Sequence, residues 1–96
     1  MPKVLLYITA KFTWIFLFYG TDVNENRAHV HVGKKDTKDY CKIWLEPKVS
    51  VAKEGSLTQQ QINQVLSLVE EYKSKLLKQW EIFKQGKKVK IITIKK

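Results

Sequence analysis

The chain has 96 residues, of which 44% are hydrophobic and 28% charged, with three tryptophans, four tyrosines and four phenylalanines. That length closes one core, and that balance excludes a disordered chain. The formal net charge of +9 favours polyanions, yet Arg27 is the one arginine among 18 basic residues, which argues against reading DNA bases through guanidinium forks.

In chain order, Val4 to Thr9 and Thr13 to Tyr19 read as two strands joined through Ala10-Lys11-Phe12. The run "WIFLFY" is apolar at every position, which suits a central strand covered on both faces or an oligomer contact. Lys11 interrupts the apolar N-terminal stretch, so neither half approaches the roughly 20 residues of a membrane helix. Too few apolar residues precede Ala10 for a secretory signal. The expectation is a cytoplasmic protein that does not engage a membrane.

Gly20, Asp22, Asn24 and Asn26 make "GTDVNEN" a turn-rich loop, because these residues tolerate turn angles. A third strand follows from about Ala28 to Gly33. After the polar turn "GKKDTKD" comes a fourth, "YCKIWLE", ended by Pro47, which cannot donate to a sheet ladder. Val49 and Val51 add a short edge strand. The single cysteine, Cys41, excludes an internal disulfide and a multi-cysteine zinc site, and its place in a strand suits a buried thiol better than a nucleophile.

Near residue 57 the period changes. Thr58 and Gln61 match a capping box, and Ile62, Val65, Leu66, Val69, Leu76, Leu77, Trp80 and Phe83 recur at helical spacing with Tyr72 in the gap. Burial of that stripe is worth on the order of 1.5 to 3 kcal/mol per side chain before entropy, so Trp80 and Phe83 read as core. Gly86 is placed as the terminator. Val89 to Ile94, between lysines, is a last strand or an arm that pairs with another chain. The predicted architecture is α+β: one domain, with an antiparallel sheet of four to five strands and one long helix, Thr58 to about Gln85, packed on one face.

Alternation sends Ala28, Val30 and Val32 one way and Arg27, His29 and His31 the other. In the fourth strand Cys41, Ile43 and Leu45 form the apolar set, opposite Tyr40, Lys42, Trp44 and Glu46. Paired as a hairpin, the two strands gather Arg27, His29, His31, Tyr40, Lys42, Trp44 and Glu46 on the face away from the helix. Three chemistries can use such a face. His29 and His31 could bind a metal, but zinc needs three or four ligands and Asp36, Asp39 or Glu46 would have to complete the set; the preferred reading has no metal and no cofactor. The two imidazoles among cations also make the kit of a metal-independent ribonuclease, one removing a proton and one donating it. Without catalysis, Trp44 and Tyr40 could stack bases while Arg27 and Lys42 follow phosphates. The plainer alternative is a half-solvated face whose tryptophan packs on a loop or a twin subunit.

The order "NRAHVHV", "KIWLEP", "EGSLTQQQINQVLSLVEEYKSKLLKQWEIF" resembles the small bacterial family called domain of unknown function 4160. The likeness lies in His29 and His31 after a polar loop, in Lys42 to Pro47, and in a helix ending with Trp80; Arg27-Ala28 stands where many relatives have paired prolines. Members are often encoded beside small antitoxin-like proteins, so the resemblance implies a toxin-antitoxin component and raises the expectation of RNA contact. The resulting expectation is a basic, nucleic-acid-contacting protein with His29 and His31 as catalytic candidates and Arg27, Tyr40, Lys42 and Trp44 as binding candidates. The alternative is a non-enzymatic module that binds an antitoxin-like protein or a second copy through an edge or through "WIFLFY".

Overall fold

Period-two alternation carries the first half of the chain into five strands, β1 (Lys3–Ile8), β2 (Thr13–Leu17), β3 (His29–Lys34), β4 (Cys41–Trp44) and β5 (Ser50–Lys53). The computed structural model describes residues 2–96. A 3₁₀ turn, Gly20–Asn24, joins β2 to β3, and two helices, α1 (Gln59–Glu71) and α2 (Lys73–Lys84), precede a last strand, β6 (Ile92–Lys95). The strand order is β5-β4-β3-β2-β1-β6.

Neighbouring strands from β1 to β5 pair antiparallel, as alternation and short turns predict, whereas β6 runs parallel to β1. The sheet is therefore mixed and six-stranded rather than antiparallel with four or five strands. The reason is directional. Four antiparallel pairings leave β5 pointing the same way as β1; the chain reverses once into the helical segment that crosses from the β5 edge to the β1 edge and again on leaving it, so β6 runs in the direction of β1. Gln79 holds this crossover in place: its buried side-chain amide donates to Val4 O at 3.0 Å and Lys90 O at 2.6 Å.

The expected single helix is two. Thr58 caps α1 as predicted, its Oγ1 accepting from Gln61 N at 3.2 Å while Gln61 Oε1 accepts from Thr58 N at 2.9 Å. At Tyr72 the backbone turns to φ −105°, ψ 17°. The break is invisible to the apolar pattern because hydrogen bonding continues through it: Tyr72 N donates to Leu68 O, and Tyr72 O accepts from Leu76 N. Tyr72 itself is buried, with its ring 6.1 Å from that of Tyr7 on β1. Gly86, at φ +75°, ends α2 in the left-handed region that glycine enters at least cost.

Register defines the two sheet faces. Leu5, Phe16, Val32 and Cys41 lie in line across β1 to β4, as do Val30 and Ile43, and these are fully buried with Ile62, Val65, Val69 and Leu76 of the helices. Trp14 to Leu17 of "WIFLFY" lie in the interior strand β2, and Trp14, Phe16 and Phe18 are buried in the core. The other face carries Leu17, His31 and Lys42 in one row and His29 with Trp44 in the next. No helix among the described residues is long and apolar enough to cross a membrane.

Candidate functional site

The site begins with the pairing of β3 and β4, where His29 stands opposite Trp44 and His31 opposite Lys42. The split of "HVHV" into apolar and polar halves follows the alternation, but the polar half does not meet solvent. His29 has no exposed surface and His31 keeps 8% of its own. The expected half-solvated face is closed at this end by two elements that the hairpin argument leaves out.

One is the 3₁₀ turn. It folds Asp22 beneath the histidines, with the Asp22 carboxylate almost fully buried. Its Oδ2 accepts from Tyr19 N at 2.8 Å and lies 3.1 Å from His31 Nε2. Its Oδ1 lies 3.2 Å from His29 Nε2. The other element is the end of α2. The Trp80 ring centroid sits 4.9 Å from that of His29, with Trp44 at 5.7 Å on another side, and Lys84 Nζ donates to Val23 O at 2.6 Å and Glu25 O at 2.7 Å. The helix thus covers His29 and ties down the turn that carries Asp22.

The ring nitrogens of His29 have different surroundings. Nδ1 lies 3.0 Å from the Arg27 carbonyl oxygen, an atom that can only accept, so Nδ1 carries the hydrogen. Nε2 has no hydrogen-bond partner despite its proximity to Asp22, because distance alone does not satisfy the angular requirement. His31 is held below the ordinary histidine range chiefly by burial, with Asp22 pulling the other way and His29 and Lys42 adding to the depression. The Tyr19 ring lies 4.2 Å from His31.

The remaining predicted residues surround this cluster without entering it. Lys42 is half-buried and pairs with Glu25 at 3.2 Å. Its ammonium also lies 4.6 Å from the Trp44 ring centre, and the Arg27 guanidinium lies 4.0 Å from the same ring, giving Trp44 two cation contacts. Tyr40 packs elsewhere, over Gly33, where an added Cβ would meet its ring at 2.8 Å. Glu46 is exposed and contributes its backbone oxygen to Arg27 Nε at 2.8 Å. Asp36 and Asp39, the other carboxylates weighed as ligands, are exposed in the β3–β4 turn. Sequence reasoning missed Asp22, Tyr19, Glu25 and the contact of Trp80 with His29. A signal existed for Asp22 alone, as a carboxylate seven residues before His29 in a loop that must return to the same strand end.

Cys41, facing the core, donates its Sγ–H to Val32 O at 3.3 Å, and burial pushes its thiol up to about 11. That is the inert thiol expected of a strand cysteine.

No curated protein and no solved structure matches the chain. A family model described as domain of unknown function (DUF4160) matches residues 13–81. The match begins at β2, ends within α2, and includes Asp22, His29, His31, Lys42, Trp44 and Trp80, though not Lys84. Having been matched over most of its length, the chain belongs to the DUF4160 family.

Proposed function

We propose that this chain is a cytoplasmic, RNA-contacting protein of toxin-antitoxin type whose contact surface is centred on Trp44. The supporting observation is the half-buried indole flanked by Arg27 at 4.0 Å and Lys42 at 4.6 Å, on a chain of net charge +9. An aromatic face among cations offers stacking to a base and charge to the adjoining phosphates, and both are tolerant of sequence. Catalysis by paired imidazoles has weaker support, because a proton shuttle must reach the phosphodiester and His29 is fully buried. The binding role therefore rests on Arg27, Lys42 and Trp44, with Tyr40 just before β4.

Fluorescence anisotropy with a labelled single-stranded RNA tests this reading. Trp44→Ala should weaken binding by about 1 to 3 kcal/mol, the value of one stacked base, and Lys42→Ala should lower the salt slope by about one. Wild-type affinity left unchanged by both substitutions would refute the assignment. The same samples run on a gel report cleavage directly; loss of cleavage in a folded His31→Gln protein would restore the ribonuclease reading.

A second reading, a module that binds an antitoxin-like protein or another copy, draws on Leu6 and Ile15, half-buried on the sheet face opposite the fully buried Leu5 and Phe16. Substitutions there, rather than at Trp14 or Phe16, probe such an interface.

A further inference from the structure

His29 Nε2 is fully buried, has no hydrogen-bond partner, and lies 3.2 Å from a carboxylate oxygen. With the ring hydrogen on Nδ1 and directed to the Arg27 carbonyl, Nε2 keeps a free lone pair 3.2 Å from Asp22 Oδ1 but off the line that a direct hydrogen bond needs. Two acceptors therefore lie side by side in a buried place without a proton shared between them, an arrangement that a cation bound by both relieves. His31 Nε2 borders the same carboxylate at 3.1 Å.

We propose that Asp22, His29 and His31 form a divalent transition-metal site, bound through Nε2 of both imidazoles and the carboxylate. The donor atoms of the three residues lie within 4.8 Å of one another, and all three residues are buried. Two bond lengths of about 2.0–2.1 Å at a tetrahedral angle place adjacent ligands ~3.3 Å apart, and each imidazole lies near that distance from one carboxylate oxygen, His29 Nε2 from Oδ1 at 3.2 Å and His31 Nε2 from Oδ2 at 3.1 Å. The surroundings are those of a ligand histidine as well: Nδ1–H bonds to a backbone carbonyl, which fixes the tautomer and aims Nε2 at the ion. Tyr19 N similarly orients the carboxylate through its 2.8 Å hydrogen bond.

The donor set selects the class of ion. Two imidazoles and one carboxylate suit zinc, iron, cobalt or nickel, whereas magnesium and calcium favour oxygen ligands. Three protein ligands leave a coordination position for an exogenous ligand, as in catalytic rather than structural zinc sites. Glu25 pairs with Lys42, offsetting the cation nearest His31. The site is independent of the RNA surface assigned to Trp44, since its ligands are buried behind that surface.

The test uses the full chain, stripped with chelator and titrated with Zn²⁺ by calorimetry, then with Co²⁺ for its visible spectrum. One Zn²⁺ should bind with a Kd below about 1 µM, and Co²⁺ should show the intense absorption of a low-coordinate site. Asp22→Asn and His31→Gln should each weaken Zn²⁺ by at least about 100-fold while retaining wild-type circular dichroism, and Asp36→Asn should leave it unchanged. A folded wild-type protein that binds no Zn²⁺ at about 100 µM overturns the proposal, as does equal affinity in wild type and Asp22→Asn. If the variants do not fold, ¹⁵N-histidine spectra of the wild type decide the matter. Zn²⁺ must shift Nε2 of both rings while the Nδ1 proton of His29 persists, and unmoved Nε2 signals overturn the assignment.

Discussion

Val30 and Val32 alternate with His29 and His31 in one strand, and all four side chains are buried, but by opposite means. The valines are enclosed by apolar neighbours: Val30 stands beside Ile43, and Val32 beside Phe16 and Cys41, beneath the helices. The histidines are enclosed by a carboxylate, a backbone carbonyl and three aromatic rings. Burial on the first side is driven by loss of apolar surface to water, and tolerates any side chain of similar volume. Burial on the second side depends on specific partners for the polar atoms, which His31 Nε2 and His29 Nδ1 have and His29 Nε2 lacks. The same strand thus supplies a non-specific core and a specific cluster, and the difference can be broken experimentally from either side.

The largest effect belongs to the apolar half. Ile43 is fully buried opposite Val30, so Ile43→Ala should cost about 2–5 kcal/mol, read as a lower urea midpoint at unchanged slope. Ile43→Leu, which keeps the volume, should cost less than about 1.5 kcal/mol. If the two variants are equally destabilised, this side depends on detailed shape and the contrast with the histidines is lost.

The polar half should behave in the reverse manner, with chemistry outweighing volume. Asp22→Ala removes the acceptor of Tyr19 N and the partner of His31 Nε2, leaving buried groups unpaired at about 1–3 kcal/mol. Asp22→Asn keeps the volume, and its amide oxygen can still take the Tyr19 hydrogen bond, so it should recover part of that loss. Urea denaturation of both chelator-treated proteins measures the gap. Closely matched stabilities for Asn and Ala would mean that the carboxylate is spectator to the burial of the two rings.

How far these halves were legible follows from the range of the interactions. Strand positions and the division of faces depend on neighbours two residues apart, so the alternation in "HVHV" and "KIWL" was enough to put His29, His31, Lys42 and Trp44 on one face, although the register that sets His29 opposite Trp44 and His31 opposite Lys42 was not read from it. The capping box at Thr58 and the strands up to β5 are local in the same sense. What closes the polar side is not local. Asp22 arrives through a 3₁₀ turn that composition describes only as a loop, and Trp80 reaches His29 from 51 positions away, although helical spacing marks it merely as core. The helix break at Tyr72 and the parallel β6 escaped for a related reason: each preserves the apolar pattern while changing direction.

A smaller effect sharpens the apolar side by pH. Cys41 lies in the valine row, with its thiol pushed from 9.0 up to about 11 by burial. The folded chain therefore keeps a proton that the unfolded chain releases. The stabilisation is complete below pH 9 and is lost as pH rises through 11, amounting to about 3 kcal/mol at the limit. Many lysines titrate in the same range, so the informative quantity is the difference between wild type and Cys41→Ala. Wild type should lose stability relative to the variant between pH 9 and 11, and parallel curves would show that the thiolate is not penalised in the fold.

The smallest expected change in stability is at the rim, where Lys42 meets Glu25, a residue with 43% of its side chain exposed. Exposed pairs of this kind contribute about 0–1 kcal/mol, so Lys42→Ala should shift the urea midpoint little. The same substitution should lower the salt dependence of RNA binding, because an ammonium that leaves a phosphate contact releases one counterion fewer. Stability and binding are then separable at one residue. A large loss of stability would instead make Lys42 part of the buried cluster, joined through Glu25 to His29 Nδ1 at 3.5 Å, and the boundary between the RNA surface and the buried site would have to move outward to include it.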